Sequence, residues 1–235
     1  APITIEQGAG LDVWKPRNYS GQFYGPTTLR VGIEHSRNLM TVRIAYSTGM
    51  DKVVATAKAL GVGSYQPVLA IALGAGETTV LNLTNAYAQM FNAGRAGTPS
   101  LIDMVQDRNG KVIWRRDTRK CTDCNRTDWA GESMPRPGGK PKQVIDARSA
   151  FQIVHLMEGV VQRGTATALR DLKRPLFGKT GTTTGPTNVW FVGGSADLIA
   201  GVYIGFDQPR PMGGYAQGGT MAVPVFKAFA EKAMK

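Results

Sequence analysis

The spacing of apolar residues changes along this chain, and the change limits what it can fold into. From Leu29 to Phe91 they recur at helical spacing. After residue 175 they gather into three strand-length runs, 176–183, 189–194 and 198–206. The connections between these runs are too short for a parallel crossover, so antiparallel pairing is expected. Residues 221–235 return to helical spacing through Val225, Phe226, Phe229 and Ala233. A helical block followed by an antiparallel sheet and a terminal helix is an α+β arrangement.

Local signals divide the chain into three stretches. Residues 1–26 read as an irregular entry segment punctuated by Gly8, Gly10, Pro16, Gly21, Gly25 and Pro26. Residues 27–170 read as a mainly helical subdomain. Thr27 or Thr28 can cap a helix through Leu29, Val31 and Ile33, which breaks near Ser36 and resumes through Leu39, Val42, Ile44 and Ala45. Asp51 can cap a helix over 52–60 that stops at Gly61, and Thr78 or Thr79 can open the next, with Gly94 after its end. Runs at 100–105 and 111–115 flank Asp107-Arg108-Asn109-Gly110, whose Asn-Gly step is a hairpin signal. A polar loop, 117–145, follows, with Gly139 near its end. Asp146 then caps a helix through Phe151, Val154, Leu156, Met157, Val160 and Val161, ended by Gly164. Residues 171–235 hold the three strands and the closing helix.

Composition sets bounds on function. A 235-residue chain with 42% hydrophobic residues can bury a real core. No apolar run approaches the ~18 residues of a membrane helix. The opening at Ala1 reads as mid-domain sequence, as in a piece of a longer protein whose membrane anchor lies upstream. A net charge of +11 admits polyanion binding, but the basic residues are scattered and no aromatic-basic nucleic-acid module is recognisable, so a generic basic surface and no nucleic acid are expected. Cys121 and Cys124 form one C-x-x-C, far from His35 and His155. Four ligands are not assembled, so no metal is expected. The pair is either a small-loop disulfide of an oxidising compartment or two free thiols.

Two short motifs can carry chemistry. In Lys179-Thr180-Gly181-Thr182, Thr180 and Thr182 share one strand face, where their hydroxyls can bind a carboxylate while the Lys179 ammonium supplies positive charge. Gly181 admits close approach of another backbone, as when an extended peptide joins a sheet edge, and N–H groups there can stabilise an oxyanion. In Ser36-Arg37-Asn38, the serine can relay a proton and Asn38 can hold an amide. Alone, the first motif could be an ordinary strand and the second a helix cap. His35, His155, Glu34 and Glu158 are expected to be structural or on the surface, and Trp190 to pack in the core.

Their order and surroundings resemble class A, bifunctional penicillin-binding proteins, built around Ser-x-x-Lys, Ser-x-Asn and Lys-Thr-Gly. The resemblance extends over Asp12-Val13-Trp14-Lys15-Pro16-Arg17-Asn18-Tyr19, Ala72-Leu73-Gly74, Gly159-Val160-Val161-Gln162-Arg163-Gly164-Thr165-Ala166, Asn188-Val189-Trp190-Phe191-Val192-Gly193 and 196–205. Many members have Asp where this chain has Asn188. No Ser-x-x-Lys occurs anywhere in the 235 residues. The resemblance therefore implies roughly the last two-thirds of a transpeptidase domain of the penicillin-binding and β-lactamase-like fold, without its first strands and nucleophile.

The resemblance implies a parent enzyme that cross-links peptidoglycan stem peptides through an acyl-serine and is acylated by β-lactams, with no cofactor. It implies catalytic roles for Ser36, Lys179 and Thr182, and substrate binding by Asn38, Thr180, Gly181 and Thr182. The expected partners are stem peptides, β-lactams and the missing N-terminal part, as the same polypeptide or a companion chain. The expected location is the periplasmic side of the inner membrane. The chain alone is expected to be inactive, with one edge of its sheet unpaired. Other readings are a non-catalytic sensor or scaffold of the same fold, a basic polyanion-binding domain, or a soluble β-lactamase.

Overall fold

The computed structural model describes residues 2–6, 13–122, 124, 127–128, 131–135 and 141–234. Gly8, Gly10, Asp12 and Gly139, singled out above, lie outside them. Three short helices come first: α1 (Leu29–Glu34), α2 (Asn38–Thr48) and α3 (Met50–Ala59). The Thr28 side chain accepts from the Val31 N–H and so caps α1. Ser36 adopts φ +53° in the break between α1 and α2, and the Arg37 N–H returns to the Gly32 carbonyl at 2.8 Å. α3 corrects the expected cap. Gly49, at φ +93°, holds the N-cap position, and Asp51 lies inside the first turn, where its charge still suits the helix N-terminus.

A 3-10 turn, Leu69–Leu73, leads to α4 (Val80–Phe91), which Thr79 caps through the Asn82 N–H. The hairpin forms as β1 (Met104–Gln106) and β2 (Val112–Arg115), antiparallel with a register shift at Val105/Gln106. It is shorter than the runs that predict it and all of its residues are exposed. α5 (Ala147–Gln162) starts at Asp146, whose side chain accepts from the Arg148 and Ser149 N–H groups.

β3 (Phe177–Thr182), β4 (Asn188–Gly194) and β5 (Ile199–Gly205) form one antiparallel sheet in the order β3-β4-β5. Among the described residues both outer strands lack a further partner, so the sheet has two free edges where one was expected. One face packs on α6 (Val223–Ala233), with Phe191 and Phe226 edge to face at 4.7 Å and both fully buried. The other face packs on α4 and α5 through Val154, Met157 and Phe177, and Phe177 stacks on Phe91 at 5.0 Å. Burial on α6 follows Val223, Phe226 and Ala230. Val225 and Phe229 are half exposed, correcting the expected stripe, because the phase of the helix is set by Phe191 and not by the sum of its apolar residues. A π-helical turn, Gly218–Ala222, leads into α6.

Candidate active site

The site is built where the α1–α2 break meets the free edge of β3. Lys179 Nζ donates to Ser36 Oγ at 2.8 Å and to the Thr180 carbonyl at 3.0 Å. The alternation of β3 sends Phe177, Lys179 and Gly181 to the α5 side and Thr180 and Thr182 to the α6 side. The Thr180 hydroxyl lies 2.6 Å from that of Thr165, just beyond α5. The Thr182 hydroxyl accepts from the Gly218 N–H at 3.0 Å. A Cβ at Gly181 would lie 3.2 Å from Cβ of Trp190 on the neighbouring strand. That glycine is tight against its own sheet, and its outer side carries no strand among the described residues.

Asn38 opens α2 and donates to the Arg17 carbonyl at 3.0 Å. Buried Asn18 accepts from the Leu39 N–H at 3.2 Å and donates to the Gln22 carbonyl at 2.8 Å. The entry segment is thus latched onto the helix that carries Asn38. It also reaches the segment before α6, since Gln217 Nε2 donates to the Tyr19 hydroxyl at 3.1 Å. Arg37, between Ser36 and Asn38, lies over the Tyr24 ring, 3.3 Å from its centroid.

Lys179 is the cation of this site. Withdrawal from water lowers the Lys179 pKa to about 8. Ser36, Thr165 and Thr182 are exposed, and Thr180 is half-buried. Lys179 can therefore offer an ammonium, and the two threonines can offer hydroxyls, to a carboxylate laid along β3. Among the described residues no group of His, Cys, Asp and Glu could hold a metal ion.

Other candidates fall outside this groove. His155 stacks on exposed Phe151 and pairs with Glu158 at 3.0 Å on the outside of α5. His35 is exposed at the end of α1. Glu34 is buried and takes Arg163 Nη2 at 2.6 Å and Nε at 3.4 Å. Trp190 is half-buried, donates to Asn188 Oδ1 at 3.2 Å and meets Tyr203 edge to face. Cys121 and Cys124 are joined as a disulfide in the loop after β2. Sequence reasoning gave Thr165 and Gly218 no role. Thr165 stood only as part of the resembling stretch Gly159–Ala166, and Gly218 only in a Gly-Gly step before α6.

The penicillin-binding protein transpeptidase domain matches residues 2–231 of this chain. The chain belongs to that family. Penicillin-binding protein 1A of Rickettsia bellii is 42% identical over 237 residues, covering all of this chain and 30% of the relative. Penicillin-binding protein 1A of Neisseria meningitidis is 36% identical over 239 residues, again over the whole chain and 28% of the relative. The chain thus spans under a third of the length of these curated relatives. The crystal structure of penicillin-binding protein 1A from Haemophilus influenzae superposes with a TM-score of 0.82 at 29% identity, over 99% of this chain and 38% of that one. Mycobacterium tuberculosis PonA1 in complex with penicillin V superposes at 0.77 with 21% identity, over all of this chain and 62% of that one. The penicillin-binding transpeptidase fold is therefore that of this chain, an α+β arrangement of helices and antiparallel sheet. Among the described residues no helix is long and apolar enough to cross a membrane.

Proposed function

We propose that this chain is the larger part of the D,D-transpeptidase domain of a bifunctional class A penicillin-binding protein that cross-links peptidoglycan. The observation that carries the reading is the Lys179–Ser36 hydrogen bond beside the hydroxyls of Thr180 and Thr182. A serine supplied from outside these 235 residues attacks the carbonyl between the two D-alanines of a stem peptide. The peptide bond breaks, terminal D-alanine leaves as an amine, and an acyl-serine remains. Ser36 relays the proton to the leaving nitrogen, and Lys179 holds the Ser36 hydroxyl in place for that transfer. Asn38 holds the substrate amide. Thr180 and Thr182 bind the terminal carboxylate under the field of Lys179, and the Thr182 N–H, with Gly181 leaving room beside it, faces the oxyanion. The amine of a neighbouring stem then attacks the ester carbonyl, Ser36 takes its proton and passes it to the departing serine oxygen, the ester bond breaks and the cross-link forms.

β-Lactams acylate the same serine, because their carboxylate and strained amide meet the same groups. The reaction asks for no cofactor. The 30% coverage of the Rickettsia relative leaves room in the longer protein for the nucleophile, a glycosyltransferase domain and an anchor on the periplasmic face of the inner membrane. The chain alone lacks the nucleophile and is inactive.

The test uses the full-length protein and a fluorescent penicillin. Ser36→Ala should slow acylation by about 10²-fold or more, the scale of positioned proton transfer. Unchanged labelling of that variant would remove Ser36 from the mechanism. A full-length protein that takes no label at all would favour a non-catalytic sensor of the same fold.

A further inference from the structure

A closed circuit of contacts runs through the site. Glu34 ends α1, two residues before Ser36, and its carboxylate is buried under Arg163. The Glu34 carbonyl accepts from the Thr165 N–H at 3.2 Å. The Thr165 hydroxyl reaches the Thr180 hydroxyl at 2.6 Å, the Thr180 carbonyl accepts from Lys179 Nζ, and Lys179 Nζ returns to Ser36. Two glycines let α5 approach closely enough to close it. A Cβ at Gly159 would fall 2.0 Å from Glu34 Oε1, and one at Gly164 would fall 2.2 Å from the Glu34 carbonyl oxygen.

We infer that Thr165 is a positioning residue that fixes the proton direction of the Thr180 hydroxyl. The inference rests on the proposed role of Thr180 as a carboxylate ligand. Two hydroxyls 2.6 Å apart share one proton between them, and either can donate. A carboxylate on β3 only accepts, so Thr180 must turn its own proton toward it. Thr165 then donates to the Thr180 oxygen. The chain of hydrogen bonds runs from Thr165 through Thr180 to the ligand, each bond polarising the next. Thr165 is exposed beside Thr180 and its backbone N–H is held by the Glu34 carbonyl, so its hydroxyl already lies within reach of Thr180 before any ligand arrives. A valine would keep the shape and remove the donor. Thr180 could still donate, but to a ligand that no longer gains from the second bond.

The experiment measures acylation of the full-length protein by benzylpenicillin and by its methyl ester, which lacks the anionic acceptor. Thr165→Val should lower the second-order rate constant for benzylpenicillin about threefold, the cooperative share of one hydrogen bond to a charged group, and leave that for the ester unchanged. Thr165→Ser should restore the difference between the two ligands. Equal losses for both ligands, or no loss for either, would overturn the inference. Thr180→Val serves as the reference. If it keeps full discrimination between acid and ester, the carboxylate role of Thr180 is wrong and the role of Thr165 falls with it. If Thr180→Val loses the discrimination and Thr165→Val does not, Thr165 alone is wrongly placed.

Discussion

Lys179 Nζ and Ser36 Oγ are hydrogen-bonded at 2.8 Å although 143 residues separate them in sequence. The contact joins the sheet edge to the break between the first two helices. Between the two residues in sequence lie α4 and α5, which pack on the sheet.

The first prediction concerns the charge of Lys179. Its pKa is lowered to about 8 by withdrawal from water, whereas a lysine in an unfolded chain titrates near ~10.4. The fold therefore disfavours the charged form. That penalty on stability is fully present below pH ~8 and is relieved as pH rises from ~8 toward ~10.4. The ammonium that attracts a carboxylate is lost over the same rise. Acylation of the full-length protein by benzylpenicillin should fall above pH ~8, and competitive amine labelling read by mass spectrometry should place the Lys179 midpoint there. A rate that holds steady to pH ~10, with a midpoint like that of an ordinary lysine, would contradict this.

The second concerns the close approach of α5 to Glu34. Gly164→Ala puts a methyl against a backbone carbonyl, which cannot rotate away. Gly159→Ala puts one against a side-chain carboxylate, which can shift at the expense of its bond to Arg163. Both should destabilise the full-length protein's transpeptidase domain, Gly164→Ala by about 1–3 kcal/mol and by more than Gly159→Ala. Thermal unfolding of the two variants checks the order, and a neutral Gly164→Ala would refute the packing described.

The caps at Thr28, Thr79 and Asp146 were legible in the sequence because each is a local bond between a side chain and a nearby N–H. The three strands were legible from their apolar runs and short connections, and Ser36 and Lys179 from their motifs. The Asp51 cap failed because Gly49 reaches positive φ and turns the chain into α3 earlier. The burial of Glu34 and the pairing of Thr165 with Thr180 left no local trace. Both arise where separate elements meet, Glu34 against Arg163 across 129 residues. The lack of a partner on the outer side of β5, among the described residues, is a matter of which strands pair, which no periodicity can report.

A third prediction follows from those edges. Among the described residues neither β3 nor β5 has a further strand on its outer side. Exposed edges pair with other chains. The 235-residue chain expressed alone should self-associate, and light scattering during size-exclusion chromatography should give a mass above the monomer. A stable monomer would show that its edges are protected in some other way.

The cysteine pair gives a fourth. Cys121 and Cys124 are bonded, with Cα atoms 5.5 Å apart. Protein secreted to an oxidising compartment should gain two hydrogens in intact mass on reduction and offer no alkylatable thiol before it. Two free thiols in unreduced protein would contradict this.

If these residues position and polarise a substrate for a nucleophile elsewhere in the full-length protein, peptide mapping of the penicillin adduct will locate that nucleophile. The full-length protein and the 235-residue chain are each treated with benzylpenicillin, digested and sequenced by mass spectrometry. The full-length protein should carry one acyl group on a serine outside residues 1–235, and the chain alone should carry none. A covalent adduct on any serine within the 235 residues, Ser36 included, would contradict the account.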